Sequence, residues 1–250
     1  MRSVVILSVL VASTFLSPIA MAQAQAPQTP TPMKLYTGNF GGGLALTSGN
    51  TDTKNFNLTF SLTRDPKTKN VFKTEALYLR GTESDVLNLE RAAVKVRDEY
   101  SLTKKVFLFA EFDYLRDPFK DIRYLLAPIG GVGYKFIDTD ATKLAISGGA
   151  GGLWEKNSDV PVKKSGSVNA GQTFSQKLST DTTLTESVAT LWKTNDFDDS
   201  LTNFRAGLTT TLYKSLELKV EFLDTYKSKP PSITIKKNDT AFIMTFLLKY

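Results

Sequence analysis

The chain has no cysteine and no histidine. No disulfide can brace the fold. Thiolate and imidazole chemistry is equally absent, which removes the usual nucleophiles, general bases and His/Cys metal sites. Beyond the first two dozen residues there is no apolar run of about 18 residues, so no spanning helix is expected there. Spanning strands stay open, since each needs only about 9–11 residues and half of them can be polar. Basic residues exceed acidic ones, 31 to 25. They are interleaved with acids, as in VKVRDEY and ELKVEF, rather than clustered as nucleic-acid binding requires.

What is present begins with Arg2, the apolar run VVILSVLVASTFL and Ala20-Met21-Ala22. A positive start, a short apolar stretch and a small-x-small site describe a secretory signal peptide over residues 1–22. Residues 23–36 read as a Pro/Gln-rich periplasmic linker, and 37–250 as the folded domain.

That domain alternates. In NFNLTFSLTR, Phe56, Leu58, Phe60 and Leu62 share one side of an extended chain, and Asn57, Thr59, Ser61 and Thr63 the other. About twelve such segments run from Gly38–Thr47 to Asp239–Tyr250. Many reach ten residues or more, longer than the five to six typical of soluble strands. Connections such as SLTKK, LSTD and YKS are tight, whereas EKNSDVPVKKSG, KTNDFDDS and KSKPPSITIKKN are longer. Short turns alternating with longer loops are the habit of outer-membrane barrels. The fold class expected is therefore all-β: a closed antiparallel up-and-down transmembrane β-barrel of about twelve strands in the bacterial outer membrane. Tyr100, Tyr114, Tyr124, Tyr134, Trp154, Trp192, Tyr213 and Tyr226 lie near segment ends, where interfacial girdles belong.

With the oily rows facing lipid, the other faces carry the ions. An arginine or lysine near the bilayer midplane would cost about 2–4 kcal/mol, so the charges must line the lumen. A turn through SLTKK with Tyr100 opposite Val106 places Lys95 across from Glu111, and a turn through RDPFKD brings Arg123 near Asp113. The expected lumen ladder is Lys95, Arg97, Glu99, Glu111, Asp113 and Arg123. Such a ladder either fills the bore or lines a narrow path for a small solute or ion.

The last segment, DTAFIMTFLLKY, ends its apolar row on Phe246, Leu248 and Tyr250. A closing strand with a terminal aromatic is the expected signal to the barrel-assembly machinery, reached with the help of periplasmic chaperones. The glycine-rich stretches IGGVGYKF and ISGGAGGLW lack the strand-turn-helix context and the lysine of a phosphate loop. They more simply relieve crowding, allow bending or let interior side chains approach the wall. No cofactor, metal or catalytic residue is expected. Paired carboxylates remain as acid-base candidates, notably Glu111/Asp113, Glu217/Glu221 and Asp198/Asp199, the last read as a loop pair that more simply binds a divalent cation or faces water.

Three stretches carry a family resemblance. LALTSGNTDTKNFNLTF, with Gly49 to Thr53 in its turn, EFDYLRDPFKDIRYLLAPIGGVGYKF, with Asp117 to Phe119, Arg123, Gly131 and Gly133, and KKNDTAFIMTFLLKY, with Asp239-Thr240, resemble the YdiY-like salt-induced outer-membrane proteins, a family of unknown function. The closing Tyr250 departs from the more common Phe. The resemblance implies an outer-membrane barrel in contact with lipid and names no ligand, solute or catalytic residue. The functional expectation is a structural barrel or narrow small-solute/ion pore, related through the family's name to salt and envelope stress. The alternative is a soluble periplasmic barrel that turns its oily faces inward around an apolar ligand.

Overall fold

The structure, a computed structural model, describes residues 35–48, 53–83, 86–230 and 232–250. The expected signal peptide at 1–22, residues 23–34 of the linker and turn residues 49–52 lie outside the described residues. Twelve strands follow in order: β1 (Tyr36–Ser48), β2 (Thr53–Arg64), β3 (Asn70–Glu83), β4 (Val86–Ser101), β5 (Val106–Asp117), β6 (Ile122–Asp138), β7 (Thr142–Lys156), β8 (Lys163–Lys177), β9 (Thr182–Lys193), β10 (Asp196–Tyr213), β11 (Leu216–Lys227) and β12 (Asn238–Lys249). Each pairs antiparallel with its sequence neighbour, and β1 pairs with β12 to close the barrel. Closure leaves no sheet edge, the condition for strands in lipid.

Side-chain period sorts the two faces. Phe40, Leu44, Leu46, Phe56, Leu108, Phe112, Ile146, Leu208, Phe222, Phe242, Met244, Phe246 and Leu248 are exposed on the outside. Their strand neighbours Ala45, Asn55, Asn57, Phe107, Phe109, Glu111, Leu223, Ile243, Thr245 and Leu247 are buried inside. A one-residue slip would exchange these sets, so the register is tightly specified.

The two ends differ. The terminal end carries Tyr36, Lys249 and the even-numbered connections; the loop end carries the odd-numbered ones. KTNDFDDS, expected as a long loop, is instead a tight turn at Thr194-Asn195 followed directly by β10, whose pairing with β9 shifts between Asp196 and Ser200. The SLTKK hairpin is tighter than expected. Tyr100 lies opposite Leu108, not Val106, and the Leu102 N–H reaches the Val106 carbonyl at 2.9 Å. Thr103 Oγ1 closes the turn by accepting from the Val106 N–H at 2.9 Å. The difference is two residues, so every side chain keeps its face.

Toward the loop end the interior is packed from wall to wall. Leu201 of β10 joins Leu115, Ile122, Leu125, Ile129 and Leu153 of β5–β7 in one cluster. Leu77, Leu79 and Leu89 of β3 and β4 meet Leu223, Ala241 and Ile243 of β11 and β12 in another. An apolar interior component was not part of the expected lumen. It arises because inward rows such as Leu77, Leu79 and Leu223 continue the charged rows toward one end.

Candidate functional site

The mid-lumen site stands on β3, β4 and β5. Register places Lys95 opposite both Glu75 and Asp113, and Arg97 opposite both Lys73 and Glu111. Lys95 Nζ lies 2.8 Å from Glu111 and 2.9 Å from Asp113. Arg97 donates to Glu99 at 2.8 Å and to Glu111 at 2.7 Å, and Lys73 donates to Glu99 at 2.7 Å. Alternating signs on adjacent strands thus form a continuous chain, Lys73–Glu99–Arg97–Glu111–Lys95–Asp113. Each buried carboxylate oxygen gains a charge-assisted partner, which offsets its desolvation.

Beside it, the glycines of IGGVGYKF have a definite role. A Cβ on Gly131 would lie 2.6 Å from the Phe109 ring, and one on Gly133 would lie 2.1 Å from the Phe107 ring. The missing side chains let both rings lie flat against β6. The Arg97 guanidinium then stacks on Phe109, 3.8 Å from its centroid. Glycine, ring and guanidinium build one layered wall and hold Arg97 in place.

A second site closes the loop end. The connection after β5 makes a short 3-10 turn, Pro118–Lys120, with Asp117 at its N-cap accepting from the Lys120 N–H at 3.2 Å. The turn directs the Lys120 side chain into the barrel, where it is only 3% exposed. Its Nζ donates across the lumen to the Thr225 carbonyl of β11 and pairs with Asp239 of β12, both at 3.1 Å. Burial pushes its ammonium below the usual lysine range, while Asp239 pulls it back. Beside it Arg91 of β4 lies 4.0 Å from Asp117 and donates to Thr225 Oγ1 at 3.0 Å and Asn203 Oδ1 at 3.4 Å. These bonds join β4 and the β5–β6 turn to β10, β11 and β12, bridging opposite walls.

A third group completes this end. Glu155 of β7 contacts Lys193 of β9 and lies 3.6 Å from Lys227 of β11, and Asp199 of β10 takes both lysines, at 2.6 and 2.8 Å. Asp199, expected in a loop, is therefore an ion-pair partner on a strand. A mouth pocket of about 320 Å³ lies over this group, lined also by Lys163, Lys164 and Asp196. Among the described residues no cluster of three or more acidic side chains is placed to hold a metal ion.

Of the six residues expected in the ladder, the structure brings Lys95, Arg97, Glu99, Glu111 and Asp113 together and leaves Arg123 out. Asp113 lies opposite Ala127. Arg123 is exposed at the rim, its Nε 3.4 Å from Ser158 Oγ. The physical reason is the 3-10 turn and the left-handed Asp121 after it, which take up chain and shift the register between Leu115 and Asp117. Phe246 and Leu248 point outward from β12, and Tyr250 is exposed at the terminal end. Sequence reasoning missed Lys120, Glu155, Lys193 and Lys227. Glu155 and Lys227 continue inward rows one step past the expected segment ends at Trp154 and Tyr226, and that parity was the available signal. Nothing local marks Lys120, a loop lysine, as buried.

The chain belongs to the family described as protein of unknown function DUF481, which matches residues 41–250. It is the family that the three motifs resemble. No curated protein matches. Among solved structures, the NanC porin is similar at TM-score 0.56 and 9% identity, covering 86% of this chain and all of that one. The translocator domain of the autotransporter NalP from Neisseria meningitidis reaches 0.51 at 11% identity, covering 87% of this chain and 89% of that one. An outer-membrane channel from Pseudomonas putida F1 reaches 0.50 at 11% identity, covering 86% and 94%. At such identities the likeness is one of fold: this chain has the closed barrel of outer-membrane proteins.

Proposed function

We propose that the protein is a bacterial outer-membrane barrel offering small polar solutes or ions a narrow path that is closed at rest by its loop end. The observation that carries this reading is the division between faces. Large apolar side chains cover the outside, while eight cation–carboxylate contacts among Lys73, Glu75, Arg91, Lys95, Arg97, Glu99, Glu111, Asp113, Asp117, Arg205, Lys219 and Glu221, together with that of Lys120 with Asp239, lie inside. Lipid accommodates the first surface and water or paired ions the second. A soluble barrel around an apolar ligand would need Phe56, Phe112, Phe222 and Phe246 within, and these residues are outside.

The Lys95–Asp113 chain lines the path and sets its ion preference. Arg91 and Lys120 are its bars. Phe246, Leu248 and Tyr250 present the closing strand to the assembly machinery. Participation in salt or envelope stress is part of this reading, on the strength of the family's name. Twelve strands fall between barrels of about eight, which side chains fill, and of 16–18, which hold open channels. Closure therefore rests with a few side chains rather than with strand count.

The test is planar-bilayer recording on the purified full chain, after checking that it partitions with outer-membrane vesicles and migrates differently on gels when unheated. Rare, small current steps are expected from the native protein. Lys120→Ala should open it more often, and Lys95→Glu should shift the cation/anion preference. Silence from all three at high voltage would instead assign a filled structural barrel.

A further inference from the structure

We infer that the outer face of β8 and β9 is a self-association surface, at which two copies of this chain meet through reciprocal contacts between Gln172 and Glu186. The inference rests on the membrane placement proposed above. Inward residues of β9 are odd-numbered, as Leu191 and Lys193 show, so Glu186 projects outward. Its outer-face neighbours are Phe174 across the β8 pairing, Ala206 across the β10 pairing, and Leu184 and Val188 along its own strand. A carboxylate is thus set in an apolar field midway between Thr182 and Trp192. Gln172 lies diagonally beside it, opposite Val188.

Other polar side chains on this face satisfy one another. Thr182 and Thr210 share a hydrogen bond of 3.0 Å, as do Thr190 and Thr202. Among the described residues Glu186 and Gln172 have no such partner. In acyl chains an unpaired carboxylate or amide is unfavourable, so the pair requires something polar to cover it. A second copy fits because the patch is complementary to itself. In a two-fold contact residue i meets j while j meets i, so the Gln172 amide of each chain would donate to Glu186 of the other. Ala170 and Gly148 alongside keep the surface low, which allows close approach in lipid. On β1, β2 and β12 the outer face carries Phe, Leu and Met, and on β3 and β4 the outward Asp98 is satisfied within the chain by the Asn70 amide at 2.8 Å.

The chain's lack of cysteine makes the test direct. In full-length protein exported to the outer membrane, Ala170→Cys should give an oxidised dimer of twice the monomer mass. Leu58→Cys, on β2 across the barrel, should give at least about tenfold less. Adding Glu186→Leu, which suits lipid and leaves the heat-modifiable fold intact, should cut the Ala170→Cys dimer by about tenfold, near 1.4 kcal/mol of association. Equal cross-linking at both sites, none at either, or a product whose mass shows a different partner would overturn the inference while leaving the barrel in the membrane. Release of the protein by carbonate would overturn it by removing the membrane reading itself.

Discussion

The lumen has two regimes, and the contrast between them shows what the interior charges do. On the open side of the mid-lumen Glu75 is 57% exposed, and its Arg205 partner on the far wall lies 3.7 Å away. Toward the loop end Arg91 and Asp117 are 8% and 6% exposed, and Lys120 and Glu155 are buried as deeply. Both regimes use the same residue types on the same strands. What differs is the company: Arg91, Asp117 and Lys120 lie toward the end where Leu115, Ile122 and Leu201, and Leu79, Leu89 and Leu223, are packed, whereas Glu75 stays open to solvent. In the dry region a missing partner leaves an uncompensated charge, whereas in the wet region solvent takes its place.

Four substitutions sharpen or break that contrast, each read as the shift in urea unfolding of the barrel in lipid vesicles. Arg91→Leu strands Asp117 beneath the 3-10 turn and should destabilise by about 3–5 kcal/mol. Leu201→Ala hollows the cluster that seals the loop end and should remove about 2–5 kcal/mol. Glu111→Gln keeps the shape of the mid-lumen chain but takes away the charge shared by Lys95 and Arg97, and about 1–3 kcal/mol is expected. Glu75→Gln, in the wet half, should change stability by less than about 1 kcal/mol. If Glu75→Gln and Arg91→Leu proved equally damaging, the lumen would be uniformly dry and the two-regime description wrong.

Much of this arrangement was legible from side-chain period. The rows Phe56–Leu62 and Phe242–Leu248 announced the outer face, and Lys95, Arg97, Glu111 and Asp113 announced an inner charged one. Even where the SLTKK hairpin closed two residues tighter than expected, parity held: Lys95, expected opposite Glu111, lies opposite Asp113 and contacts both. Arg123 failed for a different reason. Its position depended on the path of RDPFKD, where Pro118 and the capping Asp117 form a 3-10 turn that consumes residues without extending a strand. KTNDFDDS failed in the opposite direction, since a stretch rich in Asn and Asp reads as loop while Lys193 and Lys227 hold Asp199 on the sheet.

From the amino-acid order alone came the alternation of faces, the number of strands and the need for closure, because a period of two is local and each strand carries it independently. Which side chains touch across the bore came only from three dimensions. Arg91 reaching Thr225, Lys120 reaching Asp239 and Arg205 reaching Glu75 join residues more than a hundred positions apart. Those meetings depend on how far each strand is staggered against the next around the whole circle, a sum over twelve pairings that no single segment contains.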